Sequence, residues 1–284
     1  AAPSAASAPD VREVANYVVA LDIALREDRE LPLSLRLIRG LHEALMTGVG
    51  GAHVTPGEFR TSQNWIGPPG CTLNEATFVP PPPDDMWGAL DAMEKYLHQP
   101  DDLPPLIRLA IVHYQFEAIH PFVDGNGRVG RLLISLLLHE WRLLPQPLLY
   151  LSAYFERTRS QYYALLLDVS LTGRWEQWIE YFLRGVAEQA TDVIERARRL
   201  FALRERYRSA LQSARSSALP LRLVDHLFEQ PAITVAQARS VLGVSPRAAR
   251  LNVVKLEEAG IVREHTQRAR GRIYVADEIL DLLR

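Results

Sequence analysis

His120-Pro121-Phe122-Val123-Asp124-Gly125-Asn126-Gly127-Arg128-Val129-Gly130-Arg131 lies between two apolar segments of helical period, Leu106 to Glu117 before it and Gly130 to Leu143 after it. It reads as a tight loop that feeds the N-terminus of a helix. Gly125 and Gly127 tolerate positive φ and let bare backbone approach a ligand. Successive N–H groups there, together with the positive end of the following helix, form a nest for an anion, phosphate above all. Arg128 and Arg131 are three residues apart and share a helix face, and guanidinium forks match phosphate oxygens in pairs. Basic residues in a first turn oppose the helix dipole, at a cost of up to about 1 kcal/mol each. That misfit makes sense where a polyanion sits.

Two further residues complete a phosphate-transfer site. Asp124 supplies a hard oxygen of the kind Mg²⁺ on a phosphate takes. His120 is the one group of the stretch that titrates near neutrality, so it is the natural general base. Taken singly, a Gly-Asn-Gly is a turn, a His before Pro is structural, and two arginines are a solvated face. Within twelve residues each supplies a different part of one site.

Working outward, helical periodicity dominates the chain. Asp10 with Glu13 has capping-box spacing ahead of Val11, Val14, Tyr17, Val18 and Leu21. Ser34 caps a second helix with the stripe Leu35, Ile38, Leu41 and Leu45, and Gly48 stops it. The helix signal vanishes from Gly50 to Pro83, where Phe59 to Ile66 reads as a short hairpin and Pro80 to Pro83 as polyproline. Helices return at Asp85 to Leu97, Leu106 to Glu117, Gly130 to Leu143, Ser160 to Val169 and Trp175 to about Leu211. The body is therefore expected to be all-α with one β-like interruption.

A Ser/Ala-rich stretch, Ser213 to Leu219, precedes a small module. Leu221 to Phe228 is a helix, Thr234 with Gln237 opens a second that ends at Gly243, and Ser245 with Pro246 opens a third that ends at Gly260. Ile261 to Val275 holds β-like runs around a basic turn. Three helices and a hairpin is the order of a winged helix-turn-helix. The expected division is a linker over 1–9, a catalytic body over 10–190, a connecting helix and linker over 191–218, and the small module over 219–284.

Composition narrows the alternatives. The chain has 284 residues, 48 % apolar and 23 % charged, with a net charge of -2. These values exclude a disordered chain and a protein that binds nucleic acid by bulk charge. No apolar run reaches the roughly 18 residues of a membrane span. The single cysteine, Cys71, excludes an intrachain disulfide and a cysteine-cluster zinc site, and fits a cytoplasmic location. Ala1 to Pro9 lacks the features of a signal peptide and reads as a linker.

The segment from His120 to Arg131 resembles the signature of the Fic (filamentation induced by cAMP) family, His-Pro-Phe-x-Asp-Gly-Asn-Gly-Arg-x-x-Arg, at every fixed position. The resemblance extends to Gly57-Glu58-Phe59-Arg60, Asn64-Trp65-Ile66-Gly67, Pro80 to Pro83, His113 to Phe116, Tyr150-Leu151-Ser152, Tyr162-Tyr163 and Trp175 to Trp178, roughly residues 10 to 190. It implies an all-α fold: a Fic helical core with a short β-hairpin flap, followed here by the winged-helix module.

It also implies an activity, the transfer of AMP from ATP to a Ser, Thr or Tyr hydroxyl of a protein with release of pyrophosphate. His120 would take the hydroxyl proton and Asp124 would hold Mg²⁺. Gly125, Asn126, Gly127 and Gly130 would cradle the phosphates, with Asn126 orienting them and Arg128 and Arg131 neutralising them. Tyr162 would lie near the adenine. Asn64 to Gly67, with Trp65, Ile66 and Gly67 at the nucleotide, would form a flap that aligns the target backbone as an added strand. The partners expected are a hydroxyl-bearing protein, the chain itself as a self-modification target, and a second copy in a homodimer.

Two departures stand beside this match. Ser170 occupies the place where family members often carry a nucleotide-contacting Asn. The chain also has no Glu-Gly or Glu-Asn pair, so the family's restraining Ser/Thr-x-x-x-Glu-Gly/Asn helix is expected either to have been removed or to lie outside this sequence. Alternatives for the same site are other phosphate-containing transfers, AMP removal, or nucleotide sensing by a DNA-binding regulator. From Arg239 to Arg272 eight basic residues face three acidic ones, a local +5. Arg247, Arg250 and Arg270 are the candidate DNA contacts.

Overall fold

The computed structural model describes residues 8–29, 31–49, 55–211, 218–266 and 271–283. The chain divides into two compact units, one up to Ala190 and one from Thr191.

In the first unit, helix α1 (Ala8–Leu25) packs on α2 (Leu35–Met46), and both pack on α5 (Asn126–Glu140). Ser34 caps α2 by accepting from the Leu37 amide at 3.3 Å. The apolar stripe of α2, Leu37, Ile38, Leu41 and Leu45, is buried, each side chain contributing about 1.5–3 kcal/mol by its removal from water. Helix α3 (Pro83–His98) begins on the polyproline stretch, with Asp84 and Asp85 in its first turn, where carboxylates suit the dipole. It packs against α4 (Pro105–Ile119).

Helices α4 and α5 form the centre. From α4, Leu109, Ala110, Val112, Phe116 and Ile119 are buried, and α5 contributes Val129 and Leu132 through Leu138. Short α6 (Leu151–Arg157), then α7 (Arg159–Thr172) and the start of α8 (Trp175–Leu211), complete the unit. The Trp178 indole N–H donates to the Ala110 carbonyl at 3.0 Å. A bonded indole is what complete burial of Trp requires.

The expected hairpin over Phe59 to Ile66 does not close within that stretch. Instead Ile66 pairs antiparallel with Phe78 by N–H···O bonds of 2.9 and 3.0 Å, with a 3₁₀ turn at Leu73–Glu75 between them. The flap is therefore a wider loop closed by one bridge.

In the second unit α9 (Leu219–Glu229), β1 (Ala232–Thr234), α10 (Val235–Leu242), α11 (Pro246–Glu258), β2 (Arg263–Glu264), β3 (Ile273–Val275) and α12 (Asp277–Leu283) follow in order. The sheet order is β1-β3-β2, all antiparallel, with Ile233 opposite Tyr274. Thr234 and Gln237 form the reciprocal cap of α10, and Ser245 caps α11. Leu203, Tyr207 and Leu211 of α8 are buried in this core with Leu223, Val253 and Leu256. The C-terminal half of α8 thus belongs to this unit. The first helix starts at Ala8, within the expected linker; most of the stretch from Ser213 to Leu219 lies outside the described residues. Among the described residues no helix is long and apolar enough to cross a membrane.

Candidate active site

Helix α4 ends at His120, whose amide still bonds to the Phe116 carbonyl at 3.1 Å. Its own backbone is left-handed, φ 49 and ψ 59, a conformation uncommon for a non-glycine residue and costing of order 1 kcal/mol or more. The turn reverses the chain into α5, whose N-cap is Gly125 at φ 82. A Cβ on Gly125 would lie 2.8 Å from the Met46 Sδ and 3.3 Å from the His42 ring, so both backbone angle and space demand glycine.

The turn is held from within and from α2. The buried Asn126 side chain accepts from the Phe122 amide and donates to the Phe122 carbonyl, both at 2.8 Å. Asp124 Oδ1 accepts from the Gly125 amide at 2.6 Å. The Phe122 ring stacks on His42 at 3.7 Å. His42 Nδ1 accepts from the Gly57 amide at 2.9 Å, which leaves its Nε2–H to donate to the Asp124 carbonyl at 3.0 Å. Asn64 Nδ2 donates to the Phe122 carbonyl at 3.0 Å.

His120 Nδ1 faces the Glu117 carbonyl at 3.3 Å. A proton on Nδ1 satisfies that bond and leaves the Nε2 lone pair open. Burial pulls the imidazole pKa down to about 4, against the Glu117 hydrogen bond that raises it. The ring is therefore neutral near pH 7, in the form that accepts a proton. Arg131 Nη1 lies 3.1 Å from where a Gly127 Cβ would stand, so its guanidinium rests against the loop backbone. Arg128 pairs with Glu13 at 3.4 Å and with Asp124 Oδ2 at 3.7 Å.

A cavity of about 540 Å³ opens over this turn. His120 and Gly127 line one end, while Trp65, Ile66 and Gly67 of the flap form one wall. Tyr163, Leu166 and Leu167 of α7 form an apolar wall, and Tyr114 and Ser170 line it as well, their hydroxyls 2.8 Å apart. An anion-binding loop at one end and an apolar slot beside it suit a nucleotide.

The expected residues have the following surroundings. Asn126 is buried and bonds both the amide and the carbonyl of Phe122, so its side chain shapes the loop. Tyr162 is buried with its hydroxyl bonded to His113 Nε2 at 3.0 Å and borders a second cavity with Arg131, while its neighbour Tyr163 lines both. Gly130 serves packing: Glu117 Oε1 lies 2.4 Å from where its Cβ would be. Arg247 and Arg250 are exposed on the first turns of α11, and Arg270 lies outside the described residues. Residues that the motif alone did not single out are His42, Tyr163 and Glu117. Burial raises the Glu117 carboxyl pKa to about 7, and its Oε1 is sealed without a partner. Their only signal was position: His42 falls on the buried stripe of α2, and Glu117 precedes His120 by three on α4.

Residues 32–138 match the family model described as Fic/DOC family. That stretch is similar to a Fic domain. The protein adenylyltransferase Fic of Drosophila grimshawi is 33% identical over 133 residues, which are 43% of this chain and 25% of that protein. The chain thus spans about a quarter of the length of the curated relatives it matches. Among solved structures, a Fic family protein from Desulfovibrio desulfuricans superposes with a TM-score of 0.58 over 95% of this chain and 75% of its own, at 20% identity. Fic-1 from C. elegans gives 0.50 over 69% of this chain and 54% of its own, at 23% identity. These two likenesses concern the fold. The matched stretch contains the whole motif turn from His120 to Arg131 and the flap residues Trp65 to Gly67.

Proposed function

We propose that the chain is a protein adenylyltransferase that moves AMP from ATP to a hydroxyl side chain of a protein. The observation that carries this reading is the neutral His120 imidazole, Nδ1 turned to the Glu117 carbonyl, lining one end of a cavity with Gly127 of the following helix start. The name borne by the relatives supports it.

In the reaction the attacking hydroxyl gives its proton to His120 Nε2 as its oxygen bonds to the α-phosphorus. The bond from that phosphorus to the bridging oxygen breaks, and pyrophosphate leaves. The chain's own work is positioning and charge neutralisation, which is what such transfers need most. The loop amides and Arg131 bind phosphate oxygens. Arg128 is held by Glu13 and Asp124 until a phosphate competes for it. The apolar wall of Tyr163, Leu166 and Leu167 receives the base.

A Mg²⁺ ion fits the donor set at Asp124. Its carboxylate is about half exposed, Oδ1 is committed to Gly125, and Oδ2 has only a 3.7 Å contact to Arg128. One carboxylate, with phosphates and water as the other ligands, is the usual Mg²⁺ arrangement. Among the described residues no group of three His, Cys, Asp or Glu stands ready for a metal. When bound, the ion would neutralise charge on the phosphates.

The C-terminal unit reads as a winged helix-turn-helix, with α11 as the recognition helix and β2–β3 as the wing. The exposed Arg247 and Arg250, above the Ser245 cap, support contact with a DNA backbone. Incubation of the protein with labelled ATP, Mg²⁺ and a cell lysate, beside His120→Asn, which suits the left-handed backbone at that position, tests the enzymatic reading. Label transferred to protein by the native chain and lost with the variant supports it. Equal labelling by both would refute it.

A further inference from the structure

Arg60 is 2% exposed, and its guanidinium is spent on backbone carbonyls. Nε donates to the His120 carbonyl at 3.0 Å, Nη2 to the Ile119 carbonyl at 3.4 Å and to the Pro81 carbonyl, and Nη1 to the Ser62 carbonyl at 3.2 Å. Its own amide donates to the Pro121 carbonyl at 2.9 Å. A buried cation is costly, and here its cost is met by carbonyl dipoles. The last carbonyls of a helix lack intrahelical donors, and a cation suits that end of the dipole. Ile119 and His120 are those carbonyls at the end of α4. The residue Arg60 holds is also the one in left-handed geometry.

We propose that Arg60 is the positioning residue of His120. It clamps the last turn of α4, so that the imidazole keeps the backbone conformation proton transfer requires, and it ties the flap base to the same point through Ser62 and Pro81. This assignment rests on the adenylyltransferase reading for its kinetic consequence, though not for its structural one. Arg60 is not part of the cavity wall, so it acts on the rate at saturating nucleotide and leaves nucleotide binding alone. Lysine keeps the charge, yet its single nitrogen cannot serve four carbonyls spread over three segments.

The test compares the full chain with Arg60→Lys and Arg60→Met. Nitrogen NMR of the free protein reads the His120 tautomer, and self-modification with labelled ATP reads rate against ATP concentration. The native chain is expected to show one tautomer, protonated at Nδ1. Arg60→Met is expected to mix tautomers and slow saturated transfer by about 10²-fold, the cost of a small misplacement. The half-saturating ATP concentration should change little. Arg60→Lys should recover part of both.

A native tautomer with native rate in Arg60→Met overturns the proposal, as does a loss confined to ATP affinity. Should Arg60→Met fail to fold by circular dichroism, Arg60→Lys decides: a mixed tautomer and slowed transfer support the clamp, and native values of both reject it. If the native chain transfers nothing, the functional reading fails, while the tautomer measurement still decides the role of Arg60.

Discussion

His42 Nε2 donates to the Asp124 carbonyl across 82 positions of sequence, and only because Nδ1 accepts from Gly57 on the other side of the ring. One neutral tautomer satisfies both partners, and the ring lies flat on Phe122. His42→Phe keeps the stack and removes both bonds, stranding a buried N–H and a carbonyl. The expected cost is about 1–3 kcal/mol, seen as a thermal midpoint lower by a few degrees. An unchanged melting curve would remove His42 from the loop's support.

Acid should weaken the fold. Burial lowers His120 to about 4 and His113 to about 3, and it lowers His42 as well, all from an ordinary 6.5. The unfolded chain therefore binds protons that the folded chain refuses between pH 6.5 and about 4. Stability is full above that window and drains as pH falls through it. Glu117, raised from 4.5 to about 7, works in the opposite sense over its own window, one group against three. The urea midpoint should fall from pH 7.5 to pH 5, and equal midpoints would contradict the buried neutral imidazoles.

The two adjacent tyrosines should separate cleanly. Tyr163→Ala strips the cavity wall and is expected to raise the half-saturating ATP concentration about tenfold, as loss of one apolar wall contact does, with little effect on melting. Tyr162→Phe removes the hydroxyl bonded to His113 and is expected to lower the melting temperature while ATP affinity stays. Reversed effects would put the base on the other side of α7.

Asn126→Ala leaves the Phe122 amide and carbonyl without their partners. Loss of about 1–3 kcal/mol of stability is expected before any ligand is added, measured by urea unfolding. A variant as stable as the native chain would return Asn126 to a ligand-facing role.

For the C-terminal unit, replacing Arg247 and Arg250 together by Ala should weaken binding of double-stranded DNA for all sequences alike. The slope of log K against log salt should shrink by roughly two, read by gel shift over a salt series. No DNA binding by the native chain would leave protein contact as the role of that helix face.

The sequence announced the elements whose ends are chemically punctuated. Ser34 and Gly48 bracket α2, and Thr234 with Gln237 opens α10, because caps and left-handed stops are local signals. Helix α5 starts four residues before its periodicity suggested, since Asn126-Gly127-Arg128 looks like loop until the Phe122 contacts tie it down. Uncapped α6 and the short β1 and α12 gave no pattern to read. Within the site, the motif located the turn but not the direction of its side chains. Adjacent residues on a helix point about 100° apart, so the pair Tyr162-Tyr163 could be placed only once α7 was packed. Asn126 turns inward for a reason that lies in the Phe122 backbone and not in its own neighbours.

The left-handed backbone of His120 bears on how an inactive form should be made. Alanine removes the ring and also a residue type that tolerates this region better than most, so the turn is free to relax into ordinary helix and the phosphate nest loses its shape along with the base. Asparagine accepts the same backbone far more readily. A chain carrying it should still seize nucleotide while transferring nothing, and would serve as a trap for whatever protein presents the hydroxyl.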